Sequence, residues 1–109
     1  MTKRGIIRQG DVMLVPVESI PDGAIEKPRD NGRVIIAYGE VTGHAHQIAN
    51  PDAVGAVILT TAENATFVRL TKKAQLVHEE HATADVPAGN YCYVPQREYR
   101  YGATMRVAD

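Results

Sequence analysis

The sequence predicts an all-β domain, a small barrel or sandwich of short, mainly antiparallel strands. Three observations carry this. The apolar runs are short and rich in Val and Ile, and clusters of Gly, Pro, Asn and Asp separate them. Within Thr60–Val86, which holds neither Gly nor Pro, side-chain character alternates with a period of two over Thr66–Thr71 and Ala74–Glu79.

Asp11–Val17 (DVMLVPV) is apolar on both parities, as suits a strand covered on two faces, and Pro16 then requires an edge or a bulge. Ser19–Gly32 contains Pro21, Asp22, Gly23, Pro28, Asp30, Asn31 and Gly32, which marks a long irregular connection. Arg33–Tyr38 (RVIIAY) is a β-branched strand. Gly39 and Gly43 bracket Glu40, Val41 and Thr42 as a tight turn or bulge. Asn50, Pro51, Asp52 and Gly55 form a turn before the strand Ala56–Thr61. Over Thr66–His81 two patterns compete. Phe67, Leu70, Ala74, Val77 and His81 fit one face of a helix, but the alternation and the many Thr and Val residues favour strands. Pro87-Ala88-Gly89-Asn90 is a turn, and Tyr91–Pro95 a strand. The expected core strands are Asp11–Val17, Arg33–Tyr38, Ala56–Thr61 and Tyr91–Val94.

A length of 109 residues suits one domain, and 44% hydrophobic with 23% charged residues is globular composition. Such a chain must hide strand edges as well as a limited core, so a homo-oligomer is expected. A formal net charge of −1 supplies no global field for nucleic acid or an anionic membrane. Cys92, the only cysteine, excludes an internal disulfide and suits a reducing compartment. Lys3, Arg4 and Arg8 precede no apolar stretch of signal-peptide length, still less the roughly 20 residues of a transmembrane helix. The expected location is cytoplasmic, with no membrane partner.

All four histidines fall in two clusters, Gly43-His44-Ala45-His46 and His78-Glu79-Glu80-His81. On an extended chain His44, His46 and Ile48 share a face, and His78 shares one with Ala74 and Leu76. Both faces are apolar and point inward. His44, His46 and His78 are therefore candidate ligands for a divalent metal ion through neutral imidazole nitrogens. Glu40, Glu80 and His81 are further ligands or hydrogen-bond acceptors behind them. Strict alternation puts His81 on the opposite face from His78, unless a bulge at Glu79-Glu80 returns it. The same histidines, His44, His46, His78 and His81, are the catalytic candidates for metal-free acid–base cleavage of RNA, because imidazole titrates near neutrality. A purely structural role stands beside both.

Gly39, His44, His46 and Pro87-Ala88-Gly89 resemble parts of the cupin pattern, which implies a β-barrel metal enzyme. Two of that pattern's ligands are missing: no acid follows His46 closely, and Cys92 stands where a last histidine belongs. No His-Glu-x-x-His, Gly-rich phosphate loop, paired CxxC or Gly-x-Ser-x-Gly elbow occurs. Tyr91, Tyr93, Tyr99 and Tyr101 interleave with Arg97 and Arg100, as in a groove for single-stranded nucleic acid, but equally as in a half-exposed edge strand.

The chain also resembles a family of small, functionally uncharacterised bacterial and phage-associated proteins. The resemblance rests on Gln9-Gly10-Asp11-Val12 with Pro16-Val17, Tyr38–His46, His78–His81, Pro87–Tyr91 and Gln96–Tyr99. It departs after Tyr99 and implies no activity. The sequence thus points to a small binding or structural module with a histidine-lined site. The alternative is an enzyme that uses those histidines, with or without a divalent metal.

Overall fold

The computed structural model describes residues 5–39 and 43–95. The elements are β1 (Ile7–Gln9), β2 (Val12–Val17), β3 (Ile25–Glu26), β4 (Val34–Tyr38), β5 (Ala45–Ile48), α1 (Pro51–Val54), β6 (Val57–Thr60), β7 (Thr66–Leu70), β8 (Ala74–Val77), β9 (Ala84–Val86) and β10 (Gly89–Pro95). They form two antiparallel sheets, one ordered β1-β2-β10-β7-β6-β3 and the other β4-β5-β8-β9. At one side β1 lies against β9, and at the other β4 lies against β6. The sheets stay separate, so the fold is a sandwich and not a closed barrel.

Each expected core strand is present, with ends moved by a residue or two. Val12, Leu14, Val68 and Tyr91 from one sheet meet Val34, Ile48, Leu76 and Val86 from the other in a single apolar core. Tyr91 is fully buried and satisfies its hydroxyl by donating to the Pro87 carbonyl at 2.7 Å. β1 pairs only with Val12–Leu14, so Pro16 lies past its end, where a residue without an N–H costs no ladder bond.

Thr66–Leu70 and Ala74–Val77 are strands, as the alternation requires, and their inward residues Val68, Leu70, Ala74 and Leu76 are buried. The 19–32 connection is less irregular than its composition suggests. It contributes β3 to the edge of the larger sheet and closes with an Asp30–Arg33 bridge. Asn31 and Gly32 both take positive φ there, at 54° and 81°. The turn before β6 tightens into the one-turn helix α1, bounded by left-handed Asn50 and Gly55. The tight turn or bulge expected over 39–43 falls largely on residues 40–42, outside the described residues; within them, the β4–β5 register shifts between Ile35 and Ala37.

Leu76, on β8 between β5 and β9, is fully buried. Leu76→Ala should cost about 2–5 kcal/mol of folding stability, as a lowered midpoint in urea unfolding would show.

Candidate functional site

His46 lies on β5 with its side chain on the buried face, as its shared parity with Ile48 predicts. His44 sits two residues earlier, beside the end of β4, where the Gly39 N–H donates to the His44 carbonyl at 2.8 Å. β8 ends at Val77, so His78 begins the loop to β9 and His81 follows in that loop. The chain is not extended there, and period-two parity does not govern it. The turn carries His81 back to the same side as His78, with no strand bulge. All four imidazoles line one cleft of about 280 Å³, together with Asp11, Tyr93 and Glu80.

Three of the rings form a tight group. Ring centroids are 4.2 Å apart for His46 and His78, 4.7 Å for His78 and His81, and 5.6 Å for His46 and His81. One candidate ligand atom from each of the three lies within 4.8 Å of the others. His44 stands at the margin, edge-on to His78 at 5.8 Å, and groups instead with His78 and Glu79.

Two glycines make room for these rings. A Cβ at Gly10 would lie 2.6 Å from Nε2 of His81, and the residue's φ of +57° disfavours side chains in any case. A Cβ at Gly39 would lie 3.1 Å from Nε2 of His78 and 3.2 Å from Cβ of His44. Any side chain at either position would crowd the cluster.

The protonation of His46 follows from its neighbour. Gln9 is 4% exposed, and its Nε2 donates to the carbonyls of Leu76 at 2.8 Å and Ala82 at 2.9 Å. Two carbonyl acceptors fix which end of the amide is nitrogen, so Oε1 must be the acceptor that faces His46 Nδ1 at 2.9 Å. His46 therefore carries its proton on Nδ1 and keeps a lone pair on Nε2. Burial, then the nearby His78 and His81, push its pKa from 6.5 down to about 4.

His78 has the opposite arrangement, because its Nδ1 accepts the Glu80 backbone N–H at 2.9 Å. In the neutral ring the proton is then on Nε2. Nδ1 of His44 is buried without a hydrogen-bond partner. Glu80 Oε2 approaches it to 3.3 Å, near enough for attraction when the ring is charged but off the line of an N–H···O bond. Glu79 is anchored the other way, its Oε1 accepting the Ala45 N–H at 2.9 Å, and that bond holds its carboxyl pKa below the usual range.

Of the remaining sequence candidates, Tyr91 is committed to the core, while Tyr93 flanks the cleft. Glu40, Arg97, Tyr99, Arg100 and Tyr101 lie outside the described residues, as do Lys3 and Arg4. Gln9 and Gly10 entered the sequence reading only as part of a family segment. Their signal was a polar residue followed by glycine just before a wholly apolar strand.

The fold and the cleft define a small antiparallel β-sandwich with a histidine-lined pocket. The chain belongs to a family of domains of unknown function, DUF8820, whose pattern matches residues 8–96. No curated protein and no solved structure matches it. Among the described residues no helix is long and apolar enough to cross a membrane.

The depressed His46 pKa has a stability consequence whose sign is fixed. The unfolded chain takes up this proton near pH 6.5, whereas the folded chain holds it off until about 4. The contribution of the neutral ring is therefore complete above 6.5 and declines as pH falls through that interval. Glu79 acts lower, because its stabilisation is lost only below the ordinary carboxylate range. Urea midpoints should thus fall between about pH 7 and about pH 5, and His46→Gln should flatten that fall.

Proposed function

We propose that this domain is a metal-binding module whose cleft holds one divalent first-row transition ion on His46, His78 and His81. The observation that carries this reading is the convergence of three imidazole donors within 4.8 Å. Nitrogens bound to one ion each sit about 2.0–2.1 Å from it, so loading draws the rings together by small rotations. His46 is already prepared, since Gln9 holds Nδ1–H and leaves Nε2 free, the arrangement that backs histidine ligands generally. Three nitrogen ligands leave coordination positions for water or for a ligand entering the cleft.

His78 must give up the Glu80 amide to bind an ion. That backbone bond is exposed, and such a bond is worth about 0.5–1.5 kcal/mol net. Ion binding by clustered side chains yields on the order of 10 kcal/mol, so the exchange favours the ion. Protein purified without a His-tag should bind one zinc(II) per chain in calorimetric titration. His78→Ala should abolish that binding, and a wild-type chain that takes up no zinc would refute the proposal.

A second reading has its own observation. His46 and His78 are adjacent and hold opposite tautomers, so Nε2 of one offers a lone pair and Nε2 of the other a proton. Such a pair supplies a general base and a general acid, which suits metal-free cleavage of RNA. Cleavage of single-stranded RNA that survives a chelator and disappears in His46→Gln would establish it. RNA left intact by the wild-type chain would dismiss it.

A further inference from the structure

His78 belongs to two donor groups at once. It stands with His46 and His81 on the inner side, and with His44 and Glu79 on the outer side, each group within 4.8 Å. Resting on the metal-binding reading, we propose that the cleft offers a single ion two overlapping positions that share His78. The inner position has three nitrogens, and the outer one has two nitrogens and a carboxylate.

Two features assign the outer group to an ion rather than to chance proximity. The first is the buried Nδ1 of His44, which has no hydrogen-bond partner. A buried polar atom without a partner carries a desolvation cost that a ligand would remove. The second is the anchoring of Glu79. Its Oε1 takes the Ala45 N–H, which fixes the carboxylate at the start of the strand that follows His44. The side chain is therefore held beside His44 and His78 although it is exposed.

Sharing a histidine makes the positions exclusive. A neutral imidazole has one lone pair, so His78 serves one ion at a time. The capacity is then one ion per chain, with His78 indispensable and the other four donors replaceable in groups. Two imidazoles and a carboxylate also tolerate the more oxygen-seeking divalent ions, manganese(II) and iron(II), while three imidazoles suit zinc(II). The exposed His81 is the natural residue to lose, because its removal disables only the inner position.

The test is zinc(II) titration of the full chain and of three variants, each checked for native circular dichroism. His81→Ala should still bind one zinc, more weakly than wild type. His44→Ala should still bind one zinc, held by the inner group alone. The double variant His44→Ala/His81→Ala should lose binding, as His78→Ala does. Where alanine at 81 disturbs the loop, His81→Asn serves the same purpose. Loss of all binding in His81→Ala alone, or in His81→Asn, would overturn the two-position proposal while leaving the inner site standing. Retained binding in the double variant would overturn it too, as would two zinc ions per wild-type chain. A wild-type chain that binds none would end both readings.

Discussion

Gln9 closes β1 in the larger sheet, and its amide reaches the smaller sheet through the carbonyls of Leu76 and Ala82 and the ring of His46. A buried primary amide is costly unless its groups are paired, and here both ends have partners. Its two donated bonds join β1 to β8 and to the chain entering β9, where the sheets meet edge to edge. The same side chain thus holds the sandwich together at this edge and dictates the tautomer of the histidine at the cleft floor. Replacing it with an apolar residue would strand two carbonyls and an imidazole N–H at once.

From that constraint the cleft follows. Gln9 is succeeded by Gly10, which turns the chain through a left-handed conformation into β2 and leaves the space that His81 fills. Across the cleft Gly39 ends β4 and clears room for His78 and His44. The walls are thus two strand ends that carry glycine, and the floor is one strand face. His46 comes from strand β5, His44 from the residue just before it, and His78 and His81 from the loop after β8. His46 is buried, whereas His81 is exposed.

The strands were legible because sandwich strands carry their burial in period two. Val68, Leu70, Ala74 and Leu76 are buried on faces that alternation marks, and Val12–Leu14, apolar on both parities, are all buried. His46 was legible for the same reason, through Ile48. His78 was read as inward from Leu76, and it does enter the cleft, although it is one residue beyond the strand. His81 was not legible, because parity has no meaning once the chain leaves the sheet at Val77. Gln9 was hidden more deeply. A glutamine beside charged residues looks like surface, and only its long-range partners, 67 and 73 residues away, reveal it as an interior group. Those contacts exist only after both sheets have formed.

His46 resists a positive charge. Burial, then the nearby His78 and His81, disfavour its protonation. The Nε2 lone pair of neutral His46 is left for the cleft, and Nδ1 of His44 is buried without a hydrogen-bond partner. A cation bound as proposed above would answer both conditions at once. It accepts several lone pairs, and it disfavours the protonated rings with which it would compete.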